Sequence, residues 1–185
     1  MRKEYRRAIR ERVAAGLERD LPAFKPVKIQ SRVLFGGESV FRWPACSQLH
    51  CFILLVPSPT GRQAFTLELA WSDKGRFPDV TSRPTVMVAP GDPPPIELEE
   101  AIVRLGALAG RGDLWWELPD PALERPGDIA ALQESIEPLS VSVATERAVG
   151  PVNEALQVLS DVGLTFFEAL AKVKCAEASG STDAT

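Results

Sequence analysis

At 185 residues, 45% of them hydrophobic and 25% charged, the chain has the size and composition of one folded domain with a core of its own. A net charge of -4 and a pI of about 5.2 exclude a general nucleic-acid binder. The longest apolar run, Cys51 to Val56, is far too short for a membrane-spanning helix. Charge is nonetheless uneven. Residues 1–72 carry twelve Lys/Arg against six Asp/Glu, and residues 73–140 carry six against thirteen. A basic first half and an acidic middle attract each other, within one chain or between copies.

In chain order, Tyr5, Ile9, Val13, Leu17 and Leu21 recur every four residues and predict a helix over 3–20, closed by Pro22. Its other faces carry Arg2, Arg6, Arg7, Arg10 and Arg12. The start is charged throughout, with Glu4, Glu11 and Glu18, which is not the pattern of a signal peptide, anchor or transit peptide. From Val27 the period becomes two, with Val27, Ile29, Val33 and Phe35 on one face. Gly36-Gly37 then signals a hairpin turn into a second strand, Ser39 to Trp43. The apolar run from Leu49 to Val56, the break Pro57-Ser58-Pro59-Thr60-Gly61, and the alternation of Phe65, Leu67, Leu69 and Trp71 predict a central antiparallel hairpin. The first of its strands is apolar on both faces. The second has one packed face and one at least partly wet.

After Trp71 the chain reads as a loop, with a short edge strand at 85–89. GDPPP sets a boundary, and a helix from Pro95 is expected to place Leu98, Ile102, Leu105 and Leu108/Ala109 on one face up to Gly110. Leu114 to Leu118 fits either a strand or a packed loop. Asp128 can cap a short helix with Ile129, Leu132 and Ile136 inward, ended by Pro138. The strongest helical signal runs from about Pro151 to Ala176. Its heptad-like stripe, Val149, Val152, Leu156, Leu159, Gly163, Phe166, Leu170 and Val173, is read as core-facing. The expectation is an α+β fold, an antiparallel four- to five-stranded meander packed against N- and C-terminal helices. Residues 1–90 supply the first helix and the sheet. Residues 91–178 form a Pro-rich, mostly helical region completing the same domain, and 179–185 a disordered tail.

Chemistry is sparse. His50 is the only histidine, with Cys46 four residues before it and Cys51 after it, the ingredients of a thiolate nucleophile or a zinc site. On a strand, however, His50 and Cys51 face opposite ways, and CxxxHC is no common zinc spacing, so no metal and no cofactor are expected. Three cysteines without framework spacing fit a reducing compartment and hence a cytoplasmic location. Trp43 and the Trp115-Trp116 pair lie near element ends, where an aromatic ring can line a groove or anchor a partner. One of the pair must pack inward, because successive residues in extended chain face opposite sides. Trp71 belongs to the core. Arg6 and Arg10 can meet an acidic surface, but interrupting acids and missing aromatics make a nucleic-acid partner unlike this helix.

Helix, strands and the segment FTLELAW (Phe65 to Trp71) followed by Gly75 and Phe77-Pro78 resemble small uncharacterised bacterial α+β domains of unknown function, over residues 1–80. The resemblance implies an antiparallel sheet backed by helices and supplies no catalytic residues. The expected function is that of a non-catalytic bacterial protein of the cytosol, an interaction or accessory (immunity-type) protein that pairs with an unidentified protein partner or with itself as a homodimer. The alternative is a small-molecule-binding or hydrolytic protein with a pocket between the sheet and the Pro-rich middle.

Overall fold

Alternation of side chains along β4 (Ala64–Ser72) splits the molecule into two layers. The computed structural model of the chain describes residues 1–81, 83–84, 88 and 95–180. It is an α+β fold, with helices packed on one face of a six-stranded antiparallel sheet. Its strands β1 (Lys25–Val27), β2 (Ser39–Pro44), β3 (His50–Pro57), β4 and β5 (Glu100–Arg104) lie side by side in chain order. A two-residue β6 (Trp116–Glu117) shares the β5 edge of β4, pairing with Ala64 and Phe65.

The expected central hairpin is present, with Cys51 opposite Trp71, Ile53 opposite Leu69 and Leu55 opposite Leu67. These six side chains, with Ala101 and Val103 of β5, point toward the helices and meet Tyr5, Ile9, Val13 and Leu17 of α1 (Lys3–Asp20). Burying each large one is worth about 1.5–3 kcal/mol. A one-residue slip would turn Thr66 and Glu68 into that core instead, which fixes the register. Across the same layer run α5 (Val141–Arg147), α6 (Val149–Val158), a π-helical turn at Leu159–Leu164 and α7 (Thr165–Gly180). Val152, Leu159, Gly163, Phe166 and Leu170 of the expected stripe are buried, so that face belongs to the core.

Four expectations are corrected. The first strand is only Lys25–Val27, because the chain leaves the sheet and residues 28–38 cross its other face, where Ile29, Val33 and Leu34 pack. The helix expected over 95–109 is instead strand β5 followed by one helical turn, α2 (Leu105–Leu108). Both sides of Glu100–Arg104 are covered: Ala101 and Val103 face the helices, and Ile102 joins the second-face cluster of Val40, Phe52, Leu54 and Ala70. Hydrophobic spacing that fits a helix fits such a strand equally well. That second face is not wet either. The side chains on that face are buried like those on the first: Ala70 packs with the 28–38 segment, Phe77 and Val80, Thr66 meets the Leu114 carbonyl and Glu68 meets Arg83. Finally, Cys46 and Cys175 form a disulfide across 129 residues, with Cα atoms 6.1 Å apart, so two of the three cysteines are not free thiols. The edge strand expected at 85–89 lies outside the described residues but for Val88.

Candidate functional site

The residues that carried nucleophilic or metal chemistry in the sequence are held apart from one another. Cys51 points into the main core with no exposure, and burial pushes its thiol up to about 12. It offers no thiolate at neutral pH. Cys46, in the β2–β3 turn, is taken up by Cys175. His50 lies on the other face of β3, beside Phe52, and its Nδ1 is buried without a hydrogen-bond partner among the described residues. Burial, with Arg42 nearby, lowers its pKa. No cluster of three or more His, Cys, Asp or Glu that could hold a metal occurs among the described residues.

The tryptophans divide as alternation requires. Trp43 packs on Phe24, which in turn meets Phe167, and Trp71 donates from Nε1 to the Leu98 carbonyl. Trp116 is buried and stacks on Phe65. Trp115 points the other way. The Arg104 guanidinium lies 5.0 Å from its ring centre, and its Nε1 donates to Asp113.

Trp115 and Arg104 border a cavity of about 340 Å³ on the second face of the sheet, whose wall includes Arg6, Glu38, Glu68 and Arg83. Glu68 stands mid-strand on β4 and Glu38 just before β2, and their side chains are 3% and 2% exposed. Arg83 bridges them: Nε and Nη2 donate to Glu68, and Nη1 donates to Glu38 and to the Val33 carbonyl. Phe35 caps the guanidinium at 5.6 Å. Burial raises the Glu38 pKa, outweighing the attraction of Arg83. Every strong donor of Arg83 is engaged within the chain, so this cluster ties the 28–38 and 76–84 segments to the sheet. Arg6 is the cation at the cavity mouth with no ion-pair partner among the described residues.

A different kind of surface is built from α3 (Pro121–Glu124) and α4 (Ile129–Ile136). Asp120 and Asp128 cap the two helices through the amides of Ala122 and Ala130, as the sequence led one to expect for Asp128. The pair is tethered to the body by few contacts. Arg2 donates to the Glu134 carbonyl, Arg147 meets the Glu134 carboxylate and Ala131 is buried, while Ser135 donates to Asp120 and so joins α4 to α3. Ala131 is small, so α4 sits close on the helices beneath it with its large side chains turned away. Ile129 is 74% exposed, Leu132 56% and Ile136 77%, the reverse of the inward placement expected for them. The spacing marks an apolar face without saying what that face meets.

No protein-family model matches the chain, and neither does any curated protein or solved structure. Of the residues singled out in sequence, Arg6 and Trp115 come together at the cavity, whereas Trp43, His50 and Trp116 are packed elsewhere. Arg10 lines a separate groove of about 740 Å³ between α1 and the 26–41 segment. Sequence reasoning passed over Glu38, Glu68 and Arg83. A carboxylate in the middle of an apolar strand was the available signal, since a buried charge requires a partner.

Proposed function

We propose that the protein is a non-catalytic interaction protein, of the accessory or immunity type, that docks on a protein partner through the outward face of α4. One observation carries the reading. Five of the eight large apolar side chains exposed among the described residues, Leu123, Ile129, Leu132, Ile136 and Val141, fall within residues 121–141. A gathered apolar patch of this kind is an interaction surface in a stable protein and an aggregation liability otherwise. Ile129, Leu132 and Ile136 repeat at i, i+3 and i+7, the anchor spacing of a helix that lies in a partner's groove. The buried Cys51 thiol, and a His50 that lies on the opposite face of β3 from it, support the non-catalytic part of the reading.

The test is native mass spectrometry of the protein purified from its own host, beside a Leu132→Asp/Ile136→Asp variant. The variant should keep its melting temperature, since both side chains are exposed, and should lose the complexes that the parent carries. Complexes indifferent to the double substitution overturn the reading. A bound small molecule on an otherwise bare chain moves the function to the 340 Å³ cavity over Glu68.

A further inference from the structure

The groove beside α1 has the chemistry that the α4 face lacks. Its apolar wall is made by Val27, Ile29, Leu34 and the ring of Phe35, which is 67% exposed, and its rim carries Arg10 and Lys28. Two acids also border it, but both are paired within the chain, Glu11 with Arg7 and the buried Glu38 with Arg83. Arg10 and Lys28 have no ion-pair partner among the described residues, so the groove presents net positive charge around an apolar floor. The α4 face is the complement. Ile129, Leu132 and Ile136 stand between Glu124 and Glu137, two exposed acids with no ion pair among the described residues. Asp128 and Glu134, by contrast, are held by Arg125.

The two surfaces lie on opposite flanks of α1. The Tyr5 hydroxyl donates to the Pro119 carbonyl and Gly16 abuts Leu156, so that flank faces the C-terminal helices and the α3–α4 pair. Arg10 and Ala14 face the groove. One molecule therefore cannot place α4 in its own groove. Resting on the reading that α4 is the docking element, we propose that its partner is a second copy of this chain, α4 of one molecule seating Ile129, Leu132 and Ile136 in the groove between α1 and the 26–41 segment of the next. An eight-residue helix is about 12 Å long, and three aliphatic side chains are well within a groove of about 740 Å³. The contact is heterologous, so it builds a ring or an open chain unless two copies can engage each other reciprocally. A contact made by one eight-residue helix is a small, transient interface, and ionic strength weakens its charged rim.

Sedimentation velocity from about 5 µM to about 500 µM, the range suited to a small interface, tests this with two sets of exposed substitutions. Leu132→Asp/Ile136→Asp disables the helix, and Arg10→Glu/Lys28→Glu disables the groove rim. The parent chain should grow in mass with concentration, and either variant alone should associate roughly tenfold more weakly or not at all. An equimolar mixture of the two variants should recover a 1:1 pair that grows no further, because each supplies the surface that the other lacks. A parent that stays monomeric throughout overturns the proposal and leaves the docking role of α4 with a different protein. Association lost in the helix variant but kept in the groove variant also overturns it, by showing that a copy is captured elsewhere. Association kept in the helix variant overturns this proposal too, and the role of α4 then stands or falls with the host complexes of that variant.

Discussion

Glu38 shows how a single buried carboxylate sets a pH dependence. Its pKa is raised because burial disfavours its charge more than Arg83 favours it. The folded chain then holds that proton more tightly than the unfolded chain. Its contribution to stability is accordingly complete below the ordinary Glu range and is lost as pH rises through the raised value. Glu38→Gln does not titrate, so its melting temperature relative to the parent should climb as pH rises above the ordinary Glu range. A difference that is flat or falls with pH would show that the ion pair outweighs burial. The pairing with Arg83 and Glu68 was not legible in the sequence, since the three residues are separated by 30 and 15 positions and only the fold brings them together. Glu68 alone could have announced it, as a charge placed between Leu67 and Leu69 in a covered strand.

At the level of elements, what was legible followed from one-sided patterns. The α1 stripe and the β4 alternation each mark the face that meets the main core, and both elements stand where the spacing puts them, although β4 is covered on its other face as well. Where consecutive residues on both faces are apolar, as at Ala101, Ile102 and Val103, the pattern loses its period, and spacing that predicts a helix over 95–109 meets strand β5 at 100–104. The turn after that strand is held by close backbone approach. A Cβ on Gly106 would lie 2.6 Å from the Gly112 carbonyl oxygen and 2.9 Å from the Leu114 nitrogen, neither of which can rotate away. Gly106→Ala should therefore cost about 1–3 kcal/mol, as overpacking does, read as a lower urea midpoint with an unchanged slope. A substitution without effect would mean that the 110–114 turn yields easily. The α4 face illustrates the opposite limit: its periodicity was read correctly, but a helix with one apolar side can turn that side to the core or to a partner.

The whole molecule is also closed covalently. Cys46 in the β2–β3 turn is tied to Cys175 near the end of α7, joining one end of the sheet to the last helix. Three scattered cysteines gave no sign of this, because the pairing spans 129 residues. Thiol titration of the unfolded, unreduced protein should find one reactive group, Cys51, and three after reduction. Three groups before reduction would show that the pair stays reduced in the compartment the protein comes from, as a cytosolic location requires. Cys46→Ser/Cys175→Ser should lower stability by about 2–4 kcal/mol relative to the oxidised parent, and the melting temperature by about 5–15 °C.

The sheet is a meander, and this governs the order in which it can assemble. β2, β3 and β4 are joined by turns of five or six residues, whereas β4 and β5 are separated by the excursion over 73–99. Closing that longer loop must precede any gain from Leu69 meeting Val103 or Trp71 meeting Ala101. The three-stranded unit is thus the natural nucleus, and truncation of Leu55 or Leu67 should slow refolding. Truncation of Val103 should instead speed unfolding, leaving β5 and the helices behind it as the last pieces to lock and the first to let go.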